Sequence, residues 1–430
     1  MNEVTVIGGG LAGCEAAWAL AERGFKVKLF EMKPKKFSPA HHYDGFAELV
    51  CSNSLKAFRR NSAGGMLKAE MRILGSLILE AADHSAVPAG GALAVNRKSF
   101  SDYVTNKINS HQNITVVSEE ITDFPERNTI IATGPLTSDA MAEAIQSRCG
   151  APLSFYDAAA PIVSADSLDM TKAFYATRYD KGEADYINCP MNKEQYESFY
   201  NELVKAETTP LKSFEDLTVY EGCMPVEVLA KRGAKSLCYG CMKPVGLIDP
   251  NTGHRPWAAV QLRKENIEGS AYNIVGFQTN LKFPEQKRVF RMIPGLENAE
   301  FLRYGVMHRN TFLNSPQLLT DRFMLKESDG VYFAGQITGV EGYVESAMSG
   351  IIAGQSLARR LNGQKELNLP RTTMCGALCS YVAAENVNFQ PMGANMGMLP
   401  LLDGNIKDKQ ERYMKIAERG ISDLKKAVES

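Results

Sequence analysis

Val4, Thr5, Val6 and Ile7 run without a break into Gly8-Gly9-Gly10-Leu11-Ala12-Gly13, and this junction narrows the available folds more than any other feature of the chain. From Leu11 to Arg23 the apolar pattern is helical and is closed by Gly24; Val27 to Phe30 then reads as a second strand. Strand, glycine turn, helix and strand within about 30 residues is the dinucleotide-binding arrangement. Each glycine has a physical task. Gly8 permits the tight turn, Gly10 lets the backbone approach a pyrophosphate, and Gly13 lets the helix lie close to the sheet. With Gly9, Leu11 and Ala12 they form a cradle at a helix N-terminus, whose unpaired amides and positive dipole end favour phosphate. Glu31 ends the second strand, where its carboxylate is expected to accept hydrogen bonds from an adenosine ribose.

Two distant segments separate a flavin dinucleotide from a nicotinamide one. Asn128 to Ala132 is a predicted strand that ends in a small-residue turn through Thr133 and Gly134. Val331 to Ala334 is another, followed by Gly335-Gln336-Ile337-Thr338-Gly339-Val340-Glu341-Gly342-Tyr343 and a helix from about Val344 to Leu361. A domain serving only NAD would be complete long before this return. A helix N-terminus there suits the negative charge of a reduced flavin. The expected fold is therefore α/β, a glutathione-reductase-type FAD-binding Rossmann domain that the chain leaves and rejoins. Residues 1–159 form its first part, 160–307 an inserted α+β domain, 308–369 the return, and 370–430 a helical tail packing on the FAD domain.

A chain of 430 residues with 48 Lys and Arg against 49 Asp and Glu has no global field to hold a polyanion. A nucleic-acid partner would need a local basic patch, for which Lys56, Arg59, Arg60, Lys231, Arg232, Lys235, Lys282, Lys287, Arg288 and Arg291 are candidates. The N-terminus lacks the basic and apolar regions of a secretory signal, and no apolar run reaches bilayer length, so a cytoplasmic protein is expected. Between the first two strands and the return, Gly65 to Ala82 reads as one amphipathic helix, and Arg97 after the strand Ala92–Val95 as a phosphate or salt-bridge residue. Helices are also expected at Glu194–Glu207, Cys375–Ala384 and Lys407–Val428.

Nine cysteines in a reducing compartment are thiols used for packing or for chemistry. Cys238 and Cys241 form a C-x-x-C, and Cys375 and Cys379 lie one turn apart on a predicted helix. Zinc ligation, a redox dithiol and packing are the readings open to these four, with packing favoured and no metal expected. Cys51, in the polar loop Leu49-Val50-Cys51-Ser52-Asn53-Ser54-Leu55-Lys56, and Cys223, between Gly222 and Met224-Pro225, stand at bends and are candidate nucleophiles.

GGGLAGCEAAWALA, VCSNSLK, YEGCMPVE and GQITGVEGYVESAMSG, in this order, resemble the folate- and FAD-dependent tRNA (uracil-5-)-methyltransferase family from residue 1 to about 400. The cofactor fold also resembles the larger tRNA uridine carboxymethylaminomethyl-modification flavoprotein, whose long helical C-terminal region is not seen here. The first resemblance implies that Cys223 is the thiolate attacking C6 of a T-loop uridine; a positive neighbour must then lower its pKa, and Lys231, Arg232 and Lys235 are candidates by their proximity in sequence. It implies that Cys51 assists nearer the flavin and that Tyr343 stacks near the isoalloxazine or a folate ring. It further implies 5,10-methylenetetrahydrofolate as carbon donor, NAD(P)H as reductant, tRNA as substrate, and no obligate protein partner. The rival classes are the hypermodification flavoprotein, a disulfide reductase using Cys238 and Cys241, and a non-catalytic flavin-binding RNA module.

Overall fold

The computed structural model describes residues 3–38, 40–150, 153–180, 184–209, 224–387, 389–402, 404 and 406–429. The β-branched run and its partners build a five-stranded parallel sheet in the order Asp329–Phe333, Arg127–Ile131, Glu3–Ile7, Lys26–Glu31, Ile114–Ser118. Val6 pairs in register with Leu29 on one side and Ile130 on the other, and Ile130 with Tyr332. All four side chains are buried, as strands covered on both faces require.

Helix Leu11–Ala21 packs against helix Tyr343–Leu361 through small residues. A Cβ on Gly350 would collide with the Ala12 carbonyl, and one on Gly354 would lie 2.8 Å from Ala16 O. The two helices touch backbone to backbone, so the N-terminal turns of both are brought to the same end of the sheet.

The antiparallel pair Leu153–Ala158 and Met307–Phe312 carries the chain out of this layer and back, with Ser154 opposite Thr311 and Ala158 opposite Met307. Between these strands lies a six-stranded sheet ordered Phe174–Tyr175, Tyr186–Met191, Ala258–Lys264, Ala271–Ile274, Ile162–Ser164, Phe301–Arg303. Helices Lys193–Lys205 and Phe283–Phe290 bury Phe199 and Phe290 against Phe277, giving this unit its own core. The last helix, Lys409–Glu429, buries Ile416, Ala417 and Leu424, with Gly420 against Met66 and Thr372. Among the described residues no helix is long and apolar enough to cross a membrane.

One expected helix is two. Gly65–Ala82 divides into Ala63–Ile73 and Leu77–His84. Gly75 at φ +82° ends the first, and Ser76 caps the second by accepting from Leu79 N. The buried carboxylate of Glu15 accepts from Leu77 N and Ile78 N, so a tertiary partner sustains a break that apolar periodicity conceals.

Candidate functional site

The turn after the first strand opens into a cleft. Gly8 sits at φ +104° and donates to Phe30 O, with Ala132 O so close that a side chain has no room. Gly9 donates to Glu31 Oε2 at 2.7 Å, and Lys33 N donates to Glu31 Oε1 at 2.9 Å. Gly10 caps the helix with no side-chain partner and no acidic residue in the first turn, and a Cβ built on it meets nothing within 4 Å. The first amides of the helix therefore face open space, as an anion site requires. Above it, Ala47 N donates to Gly9 O, and Lys33 Nζ ties down Tyr43 O and Gly45 O at 2.9 and 2.6 Å. This order in the long loop after Glu31 comes from lysine and backbone, which no periodicity reveals.

The cleft is open at its mouth, and Gly8, Gly9, Gly10, Leu11, Ala12, Glu31, Thr133, Gly134, Gly335, Gln336 and Tyr343 line it. Strands and helices far apart in sequence thus converge on one concave surface. Lys33 and His41, from the long loop after Glu31, also line it, as do Thr137, Ser138 and Ser346, which were not anticipated. Thr137 had a local signal, because a threonine four residues after Thr133 in a tight turn can meet it; their hydroxyls are 2.7 Å apart. Gly13, Gly339 and Gly342 stand away from the lining. Gly13 lies against Gly8 O, Gly339 against the Phe389 ring, and Gly342 (φ +119°) between Lys56 and Glu345.

At one end stands the loop of Cys51. The Tyr343 hydroxyl accepts from Cys51 N at 2.6 Å and Ser52 N at 3.2 Å, and burial pushes its phenol pKa up. Arg97 donates to Leu49 O and, at 3.3 Å, to Cys51 O; Arg303 Nη2 donates to Val50 O at 2.5 Å. Arg97 Nε pairs with Glu265 at 2.7 Å, so its donors are spent inside the protein and the phosphate reading of Arg97 is corrected. Asn53, fully buried, donates to Val95 O and Lys264 O and accepts from Arg263 Nε at 3.0 Å. Residues of the six-stranded sheet, of strand Ala92–Val95 and of the helix starts at Arg97 and Tyr343 thus hold the thiol-bearing loop, and Cys51 Sγ lies 3.8 Å from Ala158 O.

Cys223 lies outside the described residues, but the chain on either side of it is anchored. Thr209 N donates to Asn280 O at 2.9 Å, and Val226 N donates to Gln278 O at 2.7 Å. The Glu227 carboxylate accepts from Thr279 Oγ1 and Asn280 N, both at 2.8 Å, and burial raises its pKa. Thr279 N in turn donates to Ala159 O, next to the residue that receives Cys51 Sγ. The described residues that flank this segment, Thr209 and Val226, are thus both anchored on the stretch Gln278–Asn280.

The basic candidates do not act as one set. Lys56 pairs with Glu345 at 2.6 Å, Lys282 with Glu207 at 2.6 Å, and Arg288 with Glu202 and Glu285, while Arg291 bonds Ala299 O. Lys231 and Arg232 end the helix Val226–Lys231. Cys375 and Cys379 are buried in helix Met374–Ala383. Burial pushes the Cys241 thiol up to about 12, and raises that of Cys238, which a working dithiol would need lowered. Among the described residues no group of three or more His, Cys, Asp or Glu is arranged to hold a metal.

The sequence profile of the family described as glucose inhibited division protein A matches residues 3–365. The methylenetetrahydrofolate–tRNA-(uracil-5-)-methyltransferase TrmFO of Acetivibrio thermocellus is 58% identical over 431 residues, covering 100% of this chain and 99% of its own. The protein of the same name from Ligilactobacillus salivarius is 56% identical, covering 98% of each. The similarity therefore passes residue 400 and includes the last helix. Among solved structures, Aquifex aeolicus GidA superposes with a TM-score of 0.71 at 16% identity, over 99% of this chain and 75% of that one, a likeness of fold.

Proposed function

Because the chain belongs to the glucose inhibited division protein A family, and to the methyltransferase group whose members match it end to end, we propose that it methylates C5 of a T-loop uridine in tRNA. The carbon comes from 5,10-methylenetetrahydrofolate, with NAD(P)H as the ultimate reductant. The observation that carries this reading is the cleft with an anion-accepting helix N-terminus at its floor and a clasped thiol loop at its end. A glycine-rich turn alone would also suit a transferase that takes a ready-made methyl group; the returning segment from Val331 to Leu361, which brings Gly335, Gln336 and Tyr343 to the same cleft, is what favours a flavin.

The residues present fit FAD. The open amides at Gly10, Leu11 and Ala12 suit a pyrophosphate, and Glu31, already oriented by two amides, keeps lone pairs for ribose hydroxyls. Thr133, Gly134, Gly335, Gln336 and Tyr343 would take the remainder. When bound, FAD supplies the two electrons that separate a methylene from a methyl group. The protein's own part is nucleophilic. The Cys223 thiolate forms an S–C6 bond, which moves the electron pair to C5 so that C5 can attack the methylene carbon. Loss of the C5 proton, assigned to the Cys51 side, breaks the methylene–nitrogen bond and releases tetrahydrofolate, and the thiolate leaves C6 once the exocyclic methylene has taken up a hydride, which restores the ring. We assign residues 1–159 and 308–369 to the cofactor unit, 160–307 to the inserted unit and 370–430 to the helical tail. The setting is the cytoplasm, and no protein partner enters the scheme.

The test is the origin of the methyl carbon. Label on the methylene of methylenetetrahydrofolate should appear in the T-loop uridine of a tRNA transcript, with NAD(P)H required and tetrahydrofolate as product. Cys223→Ala should abolish transfer and keep FAD. Methylation supported by S-adenosylmethionine alone, or dihydrofolate as product, would overturn the proposal.

A further inference from the structure

Three aromatic rings on the inserted unit are arranged unlike those in its core. The buried pair Phe277 and Phe290 meets edge to face, at 76° with centroids 5.4 Å apart. Phe283, Tyr304 and Phe301 instead lie nearly parallel, at 16° and 8°, with Tyr304 in the middle and centroids 4.7 and 5.2 Å apart. Tyr304 covers one face of Phe283, yet Phe283 is 51% exposed, so its other face is turned to solvent.

The position of this stack matters as much as its shape. Thr208 bridges Leu281, Thr209 N donates to Asn280 O, and Val226 N donates to Gln278 O. The chain on both sides of Cys223 is thus anchored within five residues of Phe283. The surrounding charge is also suited to a polyanion. Lys282 and Arg288 are matched by Glu207, Glu202 and Glu285, whereas Lys287 is exposed and makes no ion pair with a described residue. Arg291 spends two donors on Ala299 O, a neutral partner, and makes no ion pair with a described residue.

We propose that Phe283, backed by Tyr304 and Phe301, is a stacking platform for an unpaired RNA base flanking the target uridine, with Lys287 on an adjacent phosphate. The inference rests on the reading that tRNA is the substrate. A base must be held out of its stack for C6 to meet a thiolate, and an aromatic face beside the anchors of the segment that carries the nucleophile offsets the stacking its neighbour loses.

The full-length, FAD-loaded enzyme can be titrated with tRNA transcripts carrying 2-aminopurine singly at each nucleotide flanking the target. Stacking on an aromatic side chain is worth about 1–3 kcal/mol per base, so Phe283→Ala should raise Kd about 5- to 150-fold. Phe283→Leu should be as weak, and Phe283→Trp should restore binding. Quenching at one position should vanish in the Ala and Leu proteins and persist with Trp, at unchanged FAD content. Lys287→Ala should lower the slope of log Kd against log salt by about 1, which Phe283→Ala leaves alone. Wild-type affinity in Phe283→Ala, or rescue by Leu equal to that by Trp, overturns the platform while wild-type methylation still stands. If the wild-type enzyme itself neither binds nor methylates the transcript, the tRNA reading falls, and the platform with it.

Discussion

Two backbone amides, those of Cys51 and Ser52, converge on the single phenolic oxygen of Tyr343. The residue that the sequence assigns to ring stacking therefore has a second task, because its ring lines the cleft while its hydroxyl fixes the thiol loop. Tyr343→Phe keeps the ring and removes the acceptor. Each stranded amide costs about 1–3 kcal/mol, so the variant should melt measurably lower, retain its yellow cofactor, and lose at least about tenfold in methylation rate. A Phe variant with wild-type melting and rate would show that the clasp has no effect. Glu31 shows the same economy of oxygens, bonding its own turn and strand end before any ribose arrives.

Buried carboxylates join elements that have no sequence relation. Glu70, on helix Ala63–Ile73, accepts from Met374 N and Cys375 N, both at 2.8 Å, at the start of helix Met374–Ala383. Glu15 serves helix Leu77–His84 in the same way. Burial disfavours the charged form of each and raises its pKa from 4.5 to about 7, against the pull of these amides. The folded state then binds the proton more tightly than the unfolded chain. The stability from Glu70 is complete below about pH 4.5 and is lost as pH rises through about 7, by about 3 kcal/mol in all. Glu70→Gln cannot ionise, so its melting temperature should fall less than that of the wild type between pH 5 and 7.5. Parallel melting curves over that interval would contradict the assignment.

At the scale of the molecule, the six-stranded sheet meets the stretch that follows strand Ala92–Val95 around the Cys51 loop. Arg97 and Glu265 form an ion pair there that is largely withdrawn from solvent, and Asn53 and Arg263 form a second link. Removing one member of such a pair strands the other and costs about 3–5 kcal/mol, whereas replacing both by apolar groups is far milder. Glu265→Leu should therefore melt lower than the double variant Arg97→Met with Glu265→Leu. The double variant has also lost the donors to Leu49 O and Cys51 O, so it should be folded, flavin-bound and impaired in methylation. A double variant less stable than Glu265→Leu would show that the pair is not the link between the units.

What could be read from the chain alone was whatever a short stretch decides by itself. The β-branched run, the glycine turn and the helix after it declare a dinucleotide fold because strand period, positive φ and helix N-terminus are local properties. The return at Gly335 was legible for the same reason. Tertiary structure decided the rest. The break at Gly75 depends on Glu15, 60 residues earlier; the clasp on Cys51 depends on Tyr343, 292 residues later. Whether a basic residue faces RNA or a glutamate, as Lys282 and Arg288 do, is a matter of which helices become neighbours. Spacing along the chain carries none of this, because hydrogen bonds and ion pairs form between atoms a few ångströms apart in space, and only the packed sheets and helices bring those atoms together.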